Sequence, residues 1–501
     1  MKQIYLLALD QSTSGTKALL INKEGQIVKK RSKPHKQFYP QAGWVEHDPN
    51  EIYENVKELI KEVLAEASVS FGEISALTIT NQRETALIWD AETGQPIHRA
   101  IVWQCRRTAD ICEEYKSSGQ EPLITSKTGL LLDPYFSATK WKWLLNLIKN
   151  QEINGQWMAG TIDSWLIWKL TGGTVHATDY TNASRTLLFN IHSLQWDLEL
   201  IQLFELEELL LPEVRASDDL FGYVTDPDLV EAAGISLPIC GVMGDSQAAL
   251  FAQRCTEPGM GKATYGTGSS VLMNVGSEPV TGTHGLVSAL AWKLKNETRY
   301  ALEGIIHTSG DTIKWARDNM NLFQTFEELE ELTSSIQDTE GVYVIPAFVG
   351  LGAPYWRPNA RAAILGMNRS TTRSHILRAC LESIAYQIRD VVDLMSHETG
   401  IKLYELRADG GASKNKMLMQ LQSEFLGKTV VTTKAAELSA LGASYAGGLG
   451  IGFWTEENLD QIYQMEEEYF PNWKDTERES KYEGWKTAVA SIMDYKMPAS
   501  K

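Results

Sequence analysis

Cysteine is scarce in this sequence of 501 residues, and long apolar runs are absent from it. The five cysteines are scattered and none stands in a CxxC pair. An odd number of dispersed thiols argues against a zinc knuckle or a disulfide framework and indicates a reducing compartment. No run approaches the roughly 18 apolar residues of a membrane helix, and Asp10 interrupts the first apolar stretch, unlike in a signal peptide. We therefore expect a cytoplasmic protein with no membrane partner.

Positive charge is also in short supply. The 47 Lys and Arg residues face 64 Asp and Glu residues, which gives a formal net charge of −17. Most of such a surface repels a phosphate backbone, so we expect no nucleic-acid partner. An anionic substrate must then be received by a local device, such as backbone N–H groups, one or two cations, or a metal ion.

The length of the chain predicts two domains, because 501 residues exceed what one hydrophobic core usually supports. We place the boundary near residue 250, which gives domains 1–250 and 251–501. Strand-like apolar segments alternate with helical patterns, and this alternation indicates an α/β fold. The clearest helix is 49–67, where apolar residues recur at spacings of three and four after the capping residue Asp48.

A hairpin with a small polar turn is predicted twice. The strand Ile4–Leu9 leads into the turn 10–17, and the strand Gly261–Tyr265 leads into the turn 265–270. A third such turn, 409–412, follows another strand. Backbone N–H groups and hydroxyls in these turns can bind phosphate, although none of them is a Walker A loop. The similarity between the two predicted hairpins is short. It arises either by chance or because two related domains each provide a turn that binds the same ligand.

Two aspartates end apolar segments and precede small residues. Asp10 and Asp245 are placed to hold Mg²⁺ through water or to accept a proton from a hydroxyl, and turn capping is the alternative. The run Gly244–Ala248 is also similar to the nucleophile elbow of some esterases. None of the nine histidines has an Asp three positions before it, as those esterases require, so a hydrolase is disfavoured.

Four further residues suit the binding of a polyol. Arg83 and Glu84 follow directly after a predicted strand, 74–80, and offer donors and acceptors to neighbouring hydroxyls; the alternative is an exposed ion pair. Trp103 and Tyr135 are aromatic side chains of the kind that packs against the C–H faces of polyols, with core packing as the alternative.

Longer segments resemble those of the FGGY family of carbohydrate kinases, and within it the glycerol kinases. The similarity spans essentially the whole chain, and its most specific runs are Ile79–Thr85, Ala100–Arg107, Tyr135–Trp143, Asp179–Arg185, Pro346–Trp356, Ala363–Glu382 and Leu381–Tyr386. The resemblance implies two actin/hexokinase-like ATPase domains with the active site in the cleft between them. It implies an ATP-dependent kinase that phosphorylates a primary hydroxyl of a small polyol, with glycerol converted to sn-glycerol 3-phosphate. A homodimer or homotetramer is also implied.

The resemblance assigns roles residue by residue. Asp245 matches the catalytic base, and Asp10 matches the residue that holds Mg²⁺, through water. The implied nucleotide-binding residues are Thr13, Ser14, Lys17, Thr267, Gly310, Gly411 and Asn415, and the implied substrate-binding residues are Arg83, Glu84, Trp103, Tyr135, Asp245, Ser246 and Ser270.

Two of these positions depart from the glycerol kinase pattern. The family has Gln where this chain has Ser246, and Phe where it has Ser270. Smaller side chains at both positions raise the alternative of a larger polyol or ketose, of the erythritol, xylitol or xylulose class. A catalytically silent relative is a further alternative, but the retention of Asp10, Asp245 and the Arg83–Glu84 pair argues against it.

Overall fold

Two large mixed β-sheets organise the computed structural model, which describes residues 4–230, 236–357 and 359–493. The strands of the first sheet, in spatial order, are Leu220–Val224, Leu237–Gly244, Ile74–Asn81, Tyr5–Gln11, Gly15–Asn22 and Ile27–Pro34. Those of the second are Val287–Leu294, Glu297–Ile306, Ser269–Gly276, Met260–Tyr265, Glu405–Asp409, Thr429–Thr433 and Met465–Tyr469.

The centres of the two sheets have the same topology. In each, an antiparallel hairpin is extended by a third antiparallel strand on one side and by two parallel strands on the other. In the first sheet the hairpin is Tyr5–Gln11 with Gly15–Asn22, and in the second it is Met260–Tyr265 with Ser269–Gly276. The echo between the two predicted hairpins is therefore a real structural repeat.

Smaller sheets surround this framework. One sheet of six short strands consists, in spatial order, of Leu209–Leu210, Trp157–Thr161, Ala86–Asp90, Ala100–Ile101, Glu46–His47 and Gln37–Phe38. Three two-stranded sheets pair Ala177–Asp179 with Glu213–Arg215, Phe189–Asn190 with Gln195–Trp196, and Tyr343–Ile345 with Ala363–Leu365.

Helices cover the faces of the sheets. They are Pro49–Ala67, Ala109–Ser117, Glu121–Thr128, Ser137–Asn150, Ile162–Leu170, Tyr180–Ala183, Leu198–Leu203, Pro227–Val230, Asp245–Ala252, Gly310–Asp318, Phe326–Ser334, Arg373–Thr399, Lys416–Leu426, Leu438–Gly450, Glu456–Ile462 and Asp475–Met493, with 3₁₀ turns at Phe71–Glu73 and Gly411–Lys414. Across the part of the chain that the structure describes, none of them has the length and apolarity to cross a membrane. All five cysteines are buried free thiols.

The helix predicted over 49–67 shows how local signals are realised. It spans Pro49–Ala67, and the side chain of Asp48 accepts hydrogen bonds from the first backbone N–H groups. Its apolar stripe, which includes Ile52, Val56 and Leu59, is buried against the N-terminal sheet. The capping residue and the spacing of apolar residues were thus sufficient to predict this element from the sequence.

The helix Leu438–Gly450 joins the two halves. It follows a strand of the second sheet but packs on the strand Leu237–Gly244 of the first and on the helix Asp245–Ala252. A Cβ atom at Gly442 would lie 1.8 Å from the carbonyl oxygen of Ala248, so only glycine permits this approach. The base of the cleft is therefore built by both halves.

The first turn is tighter than predicted. We expected residues 10–17 to form it, but Asp10 and Gln11 continue the first strand and Gly15 begins the second. Asp10 pairs with Lys17 and Gln11 with Thr16 across the hairpin. Backbone pairing in a central hairpin does not depend on side-chain polarity, so the polar residues were absorbed into the strands.

Candidate active site

The first hairpin places a buried carboxylate beside an ammonium group. Lys17 Nζ donates to Asp10 Oδ2 at 3.3 Å and to Glu437 Oε2 at 2.6 Å. Burial raises the pKa of Asp10 to about 6; Lys17 opposes this rise, and the negative charge of Asp245 adds to it. The negative charge of Asp10 is therefore incompletely offset, and a further cation would stabilise it.

This environment fits a magnesium ion held partly by a substrate. Among the residues that the structure describes, no group of three or more His, Cys, Asp or Glu side chains could form a metal cage. Mg²⁺ is usually bound through one or two carboxylates, with water and substrate phosphates completing its shell. A lone buried carboxylate at the edge of a large cleft, which Asp10 provides, suits that mode of binding.

The turn of the first hairpin is anchored from the side. Trp103 Nε1 donates to Thr13 Oγ1 at 2.9 Å, and Gln37 Nε2 donates to the Thr13 carbonyl at 2.6 Å. The neighbouring Ser14 is exposed. The turn therefore has a fixed backbone with a hydroxyl-bearing residue at its tip, and Trp103 links it to the aromatic residues described below.

The turn of the second hairpin is held by backbone contacts. The N–H of Gly266 donates to the carbonyl of Gly268 at 2.9 Å, and the N–H of Gly310 donates to the carbonyl of Gly266 at 2.9 Å. The carbonyl of Thr267 accepts from the N–H of Ser309 at 2.8 Å. A Cβ at Gly268 would lie only 2.4 Å from the carbonyl oxygen of Ile306. Glycine is therefore required where the turn meets the next strand.

Two cavities adjoin: the larger lies between the halves, and the smaller lies within the C-terminal half. The larger, about 910 Å³, is lined by residues that include Asp10, Lys17, Asp245, Ser246, Lys262 and Asp409. The smaller, about 570 Å³, is lined by residues that include Thr267, Gly310, Phe323, Phe326, Leu329 and Asn415. Gly411 and Lys414 line both. One continuous groove thus joins a polar, lysine-rich end to a more apolar end.

The apolar end contains four of the residues predicted to bind nucleotide. Thr267, Gly310, Gly411 and Asn415 all line the smaller cavity. Asn415 also caps the helix Lys416–Leu426, since its Oδ1 accepts from the N–H of Leu418 at 2.8 Å. A Cβ placed on Gly411 would have no neighbour within 4 Å, so this glycine borders open space. The cavity has the size and apolar lining that suit a planar ring system.

At the other end of the groove, Asp245 lies against Arg83. Asp245 begins the helix Asp245–Ala252 and keeps 37% of its side chain exposed. Arg83 Nε is 3.1 Å from Asp245 Oδ1, which also accepts from the N–H of Ser246 at 2.7 Å. The guanidinium of Arg83 donates to Gln247 Oε1 at 3.1 Å. Asp245 is thus an accessible carboxylate held in one orientation.

Arg83 also belongs to a buried ring of alternating charges. Its Nη2 is 3.2 Å from Glu303 Oε1, Arg185 Nη1 is 2.7 Å from Glu303 Oε2, and Arg185 Nε donates to Glu84 Oε1. A looser contact of 3.9 Å between Arg83 Nε and Glu84 Oε1 closes the ring. Burial raises the pKa of Glu84, whereas the two arginines outweigh burial at Glu303 and lower its pKa to about 2.

Aromatic side chains border this charged cluster. The rings of Trp103 and Tyr135 have centroids 5.3 Å apart, and the guanidinium of Arg185 lies 5.7 Å from the Tyr135 ring. Burial raises the pKa of the Tyr135 phenol. Lys140 Nζ donates to the carbonyls of Tyr135 and Phe136, and it fixes the backbone from which Tyr135 projects. The structure therefore combines an aromatic wall with fixed polar groups.

The two serines that depart from the glycerol kinase pattern have different surroundings. Ser246 lines the larger cavity together with Asp10 and Asp245. Ser270 Oγ donates to Glu303 Oε1 at 3.1 Å, so its hydroxyl is engaged by the ring of charges. The structure thus brings the predicted acceptor residues together. Four of the seven predicted nucleotide residues lie together at the apolar end of the groove, whereas Thr13, Ser14 and Lys17 lie in the first hairpin near Asp10 and Trp103.

Three residues of the site were not predicted. They are Arg185, Glu303 and Glu437, and each contacts a predicted residue that is more than 100 positions away in the sequence. A signal existed for Glu303, because it is the lone charged residue in the apolar segment Tyr300–Ile306. A charge in a buried strand requires a partner of opposite sign. The sequence could not show which partner it was.

Comparison with known proteins gives consistent matches over the whole chain. The family model for the N-terminal domain of the FGGY family of carbohydrate kinases matches residues 5–252, and the model for its C-terminal domain matches 261–451. A glycerol kinase from Pseudothermotoga lettingae is 48% identical over 500 residues, which is 99% of each chain. One from Klebsiella pneumoniae is 48% identical over 491 residues, which is 97% of each chain.

Solved structures agree with the sequence matches. The crystal structure of Plasmodium falciparum glycerol kinase with ADP superposes with a TM-score of 0.93 at 36% identity, and the alignment covers 98% of this chain and 99% of that one.

Proposed function

The chain belongs to the FGGY family of carbohydrate kinases, and we propose that it transfers the terminal phosphoryl group of ATP to a primary hydroxyl of glycerol. The products are sn-glycerol 3-phosphate and ADP. The chain has the two-domain actin/hexokinase-like ATPase fold that the sequence predicted. The observation that carries the proposal is 48% identity to glycerol kinases over 99% of the chain. The grouping of acceptor residues around Asp245 supports it.

The acceptor site binds the polyol through fixed polar groups and an aromatic wall. Arg83 donates hydrogen bonds to its hydroxyls and Glu84 accepts them, while Trp103 and Tyr135 pack against the carbon chain. The contacts of Arg83 with Asp245 and Glu84, and of Trp103 with Tyr135, support the proposal. Binding in one orientation presents a single primary hydroxyl to the phosphate groups, and positioning of this kind supplies much of the acceleration in phosphoryl transfer.

Asp245 is the general base. Arg83 Nε and the N–H of Ser246 both contact its Oδ1, so the other carboxylate oxygen is the one offered to the hydroxyl. As the hydroxyl oxygen forms a bond to the terminal phosphorus of ATP, its proton passes to Asp245. The bond between that phosphorus and the bridging oxygen breaks, and ADP leaves with the electron pair.

The nucleotide lies along the groove. The ring of its base occupies the apolar cavity by Gly310, Gly411 and Asn415, and the phosphates extend toward Thr267 and the first hairpin. There Thr13, Ser14 and Lys17 supply hydroxyl, backbone and ammonium donors. Asp10 holds Mg²⁺ through water, and the ion, when bound, neutralises charge on the phosphate oxygens. The shared lining of the two cavities supports this path.

The organisation of the chain completes the proposal. We keep the domain boundary near residue 250, supported by family models that end at 252 and resume at 261. A homodimer or homotetramer is supported by the family resemblance alone, and light scattering after size-exclusion chromatography tests it. A cytoplasmic location is supported by the five free, buried thiols, which suit a reducing compartment.

A second candidate is a kinase for a larger polyol or ketose. Its supporting observation is the pair of small residues, Ser246 and Ser270, at positions where glycerol kinases have larger side chains. Against it, the hydroxyl of Ser270 is held by Glu303.

A coupled ADP-release assay decides between the two candidates. We expect kcat/KM for glycerol to exceed that for erythritol, xylitol and xylulose by at least about a hundredfold. The loss of one contact between substrate and site costs ~1–3 kcal/mol of transition-state binding. Several poorly fitting groups on a larger substrate therefore account for a hundredfold difference in kcat/KM. Equal or better turnover of a four- or five-carbon substrate would establish the second candidate instead. ADP release with none of the four would reject both.

A further inference from the structure

Glu303 reaches the acceptor site from the other half of the molecule. It lies on the strand Glu297–Ile306 of the second large sheet, whereas Arg83, Glu84 and Arg185 all lie in the N-terminal half. Glu303 contacts both arginines, at 3.2 Å from Arg83 Nη2 and 2.7 Å from Arg185 Nη1. It is the only member of the ring supplied by the C-terminal half.

The ring is sealed from water. The side chain of Arg185 is 0% exposed and that of Glu303 is 1% exposed, and neither of the other two exceeds 6%. Two guanidinium groups and two carboxylates balance one another. The removal of one carboxylate leaves a buried arginine without a neutralising partner. That arginine then shifts its position or pairs with another carboxylate. For Arg83 the carboxylate within reach is Asp245.

The ring also fixes Glu84. This residue has φ +61°, a left-handed conformation that is uncommon for residues other than glycine. Its carboxylate is bound by Arg185, which in turn is bound by Glu303. Glu303 therefore governs both polyol-binding residues, Arg83 directly and Glu84 through Arg185, although it is not itself one of them.

We propose that Glu303 is a positioning residue for the acceptor site: it fixes Arg83 and, through Arg185, Glu84, so that acceptor binding requires contact between the two halves. This inference rests on the proposed function, because it assigns Arg83 and Glu84 to the polyol. A displacement of about 1 Å in such a group can cost roughly a hundredfold in rate. The nucleotide cavity contains none of the four ring residues, so ATP binding is independent of the ring.

The test compares Glu303→Gln with a matched control, Glu382→Gln. Glu382 is also a buried glutamate paired with an arginine, Arg378, at 3.2 Å, but it lies on the helix Arg373–Thr399 and lines neither of the two cavities. Steady-state kinetics are measured for both variants with glycerol and with ATP varied in turn. We expect Glu303→Gln to raise KM for glycerol about 10- to 100-fold, by loss of orientation at Arg83 and Glu84, with KM for ATP changed less than twofold. Glu382→Gln should leave both KM values within twofold of the wild type.

The conservative variant Glu303→Asp separates positioning from folding. It keeps the charge on a shorter side chain, so we expect KM for glycerol to recover at least half of the loss on a logarithmic scale. If Glu303→Gln is too unstable to assay, Glu303→Asp alone should still raise KM for glycerol without raising that for ATP. An unchanged KM for glycerol in a folded Glu303→Gln protein, or equal rises in both KM values, would overturn the proposal. A wild-type protein without glycerol kinase activity would instead reject the proposed function.

Discussion

In the N-terminal hairpin Asp10 lies opposite Lys17, whereas at the equivalent positions of the C-terminal hairpin Thr264 lies opposite Ser270. The two hairpins share their pairing, and a parallel strand joins each at the same side. The first carries charge beside its turn. The second carries none on this pair of residues, and its turn contains the glycines 266 and 268.

This difference matters for the proposed binding of ATP, a polyanion, by an acidic protein. The net charge of −17 repels an anionic ligand over most of the surface. Each half therefore contributes a different set of local groups to bind the phosphates. The first half offers Lys17 and a carboxylate suited to a cation. The second offers a turn with two glycines, whose lack of side chains allows a phosphate to approach the backbone closely.

Removal of the proposed base should have the largest effect. Asp245→Asn keeps the shape of the side chain but cannot accept the hydroxyl proton, so we expect kcat to fall about 10²- to 10⁴-fold. Titration calorimetry should show ATP affinity within threefold of the wild type, because Asp245 does not line the smaller cavity, which is proposed to bind the base of the nucleotide. Asp219→Asn, on the exposed surface, serves as the control. Normal turnover in Asp245→Asn would remove this residue from the mechanism.

The substitution Gly268→Ala tests the role of the glycines in the turn of the second hairpin. A Cβ there would lie 2.4 Å from the carbonyl oxygen of Ile306, so Gly268→Ala must displace the turn. We expect a loss of stability of about 1–3 kcal/mol and at least a fivefold rise in KM for ATP. Thermal unfolding and ADP release measure the two effects.

Gly411→Ala is the contrast to Gly268→Ala. The space around its Cβ is empty to 4 Å, so its melting temperature should match the wild type. Equal destabilisation of the two variants would contradict the conclusion that close packing requires glycine at position 268.

Binding of magnesium ATP beside Asp10 and Lys17 should depend on pH. Burial raises the pKa of Asp10 to about 6, so its carboxylate is charged above that pH and takes up a proton below it. The affinity for magnesium ATP should therefore be full above about pH 7 and fall by up to tenfold per pH unit below about pH 6. In the unliganded protein the same raised pKa adds stability as the pH falls from 6 toward 4.

Calorimetric titrations between pH 5 and pH 8 check the binding profile. In Asp10→Asn the affinity should be weak and the dependence near pH 6 should be lost. A wild-type profile that persists in this variant would assign the titration to another group.

The smallest effect is expected at Ser270. Its hydroxyl donates one hydrogen bond to Glu303, and Ser270→Ala removes only that bond. Such a bond contributes ~0.5–1.5 kcal/mol, so KM for glycerol should rise about two- to tenfold with little change in KM for ATP. A KM for glycerol below that of the wild type would show that the hydroxyl restricts the acceptor site.

Much of the fold was predictable because local signals agreed with the final packing. The helix 49–67 was predicted with both ends correct, and the strand predicted at 74–80 is Ile74–Asn81. The extent of the first turn was wrong, since a central position in a sheet overrode the polarity of Asp10 and Gln11. Side-chain patterns report burial and capping, but they do not report which backbone groups pair.

Part of the candidate site was predictable for the same reason. Arg83 and Asp245 follow the ends of strands that lie next to each other in the sheet, so their proximity follows from ordinary α/β topology. Glu303 and Glu437 were missed, because their arginine and lysine partners lie more than 100 positions away along the chain. No local pattern carries that information.

The amino-acid sequence was sufficient to predict the family, the α/β class and the residue types of the groove, but it left the repeated hairpin open, and the strand pairing established it. Hydrophobic periodicity, helix caps and strand ends depend on only a few neighbouring residues, so they can be recognised in the amino-acid sequence without a structure. Only the tertiary structure decided that Glu303 of one half joins two arginines of the other, and that Lys17 lies between Asp10 and Glu437. Charge pairs of this kind depend on distances in space, because a buried charge is stabilised by whichever opposite charge the fold brings within a few ångströms.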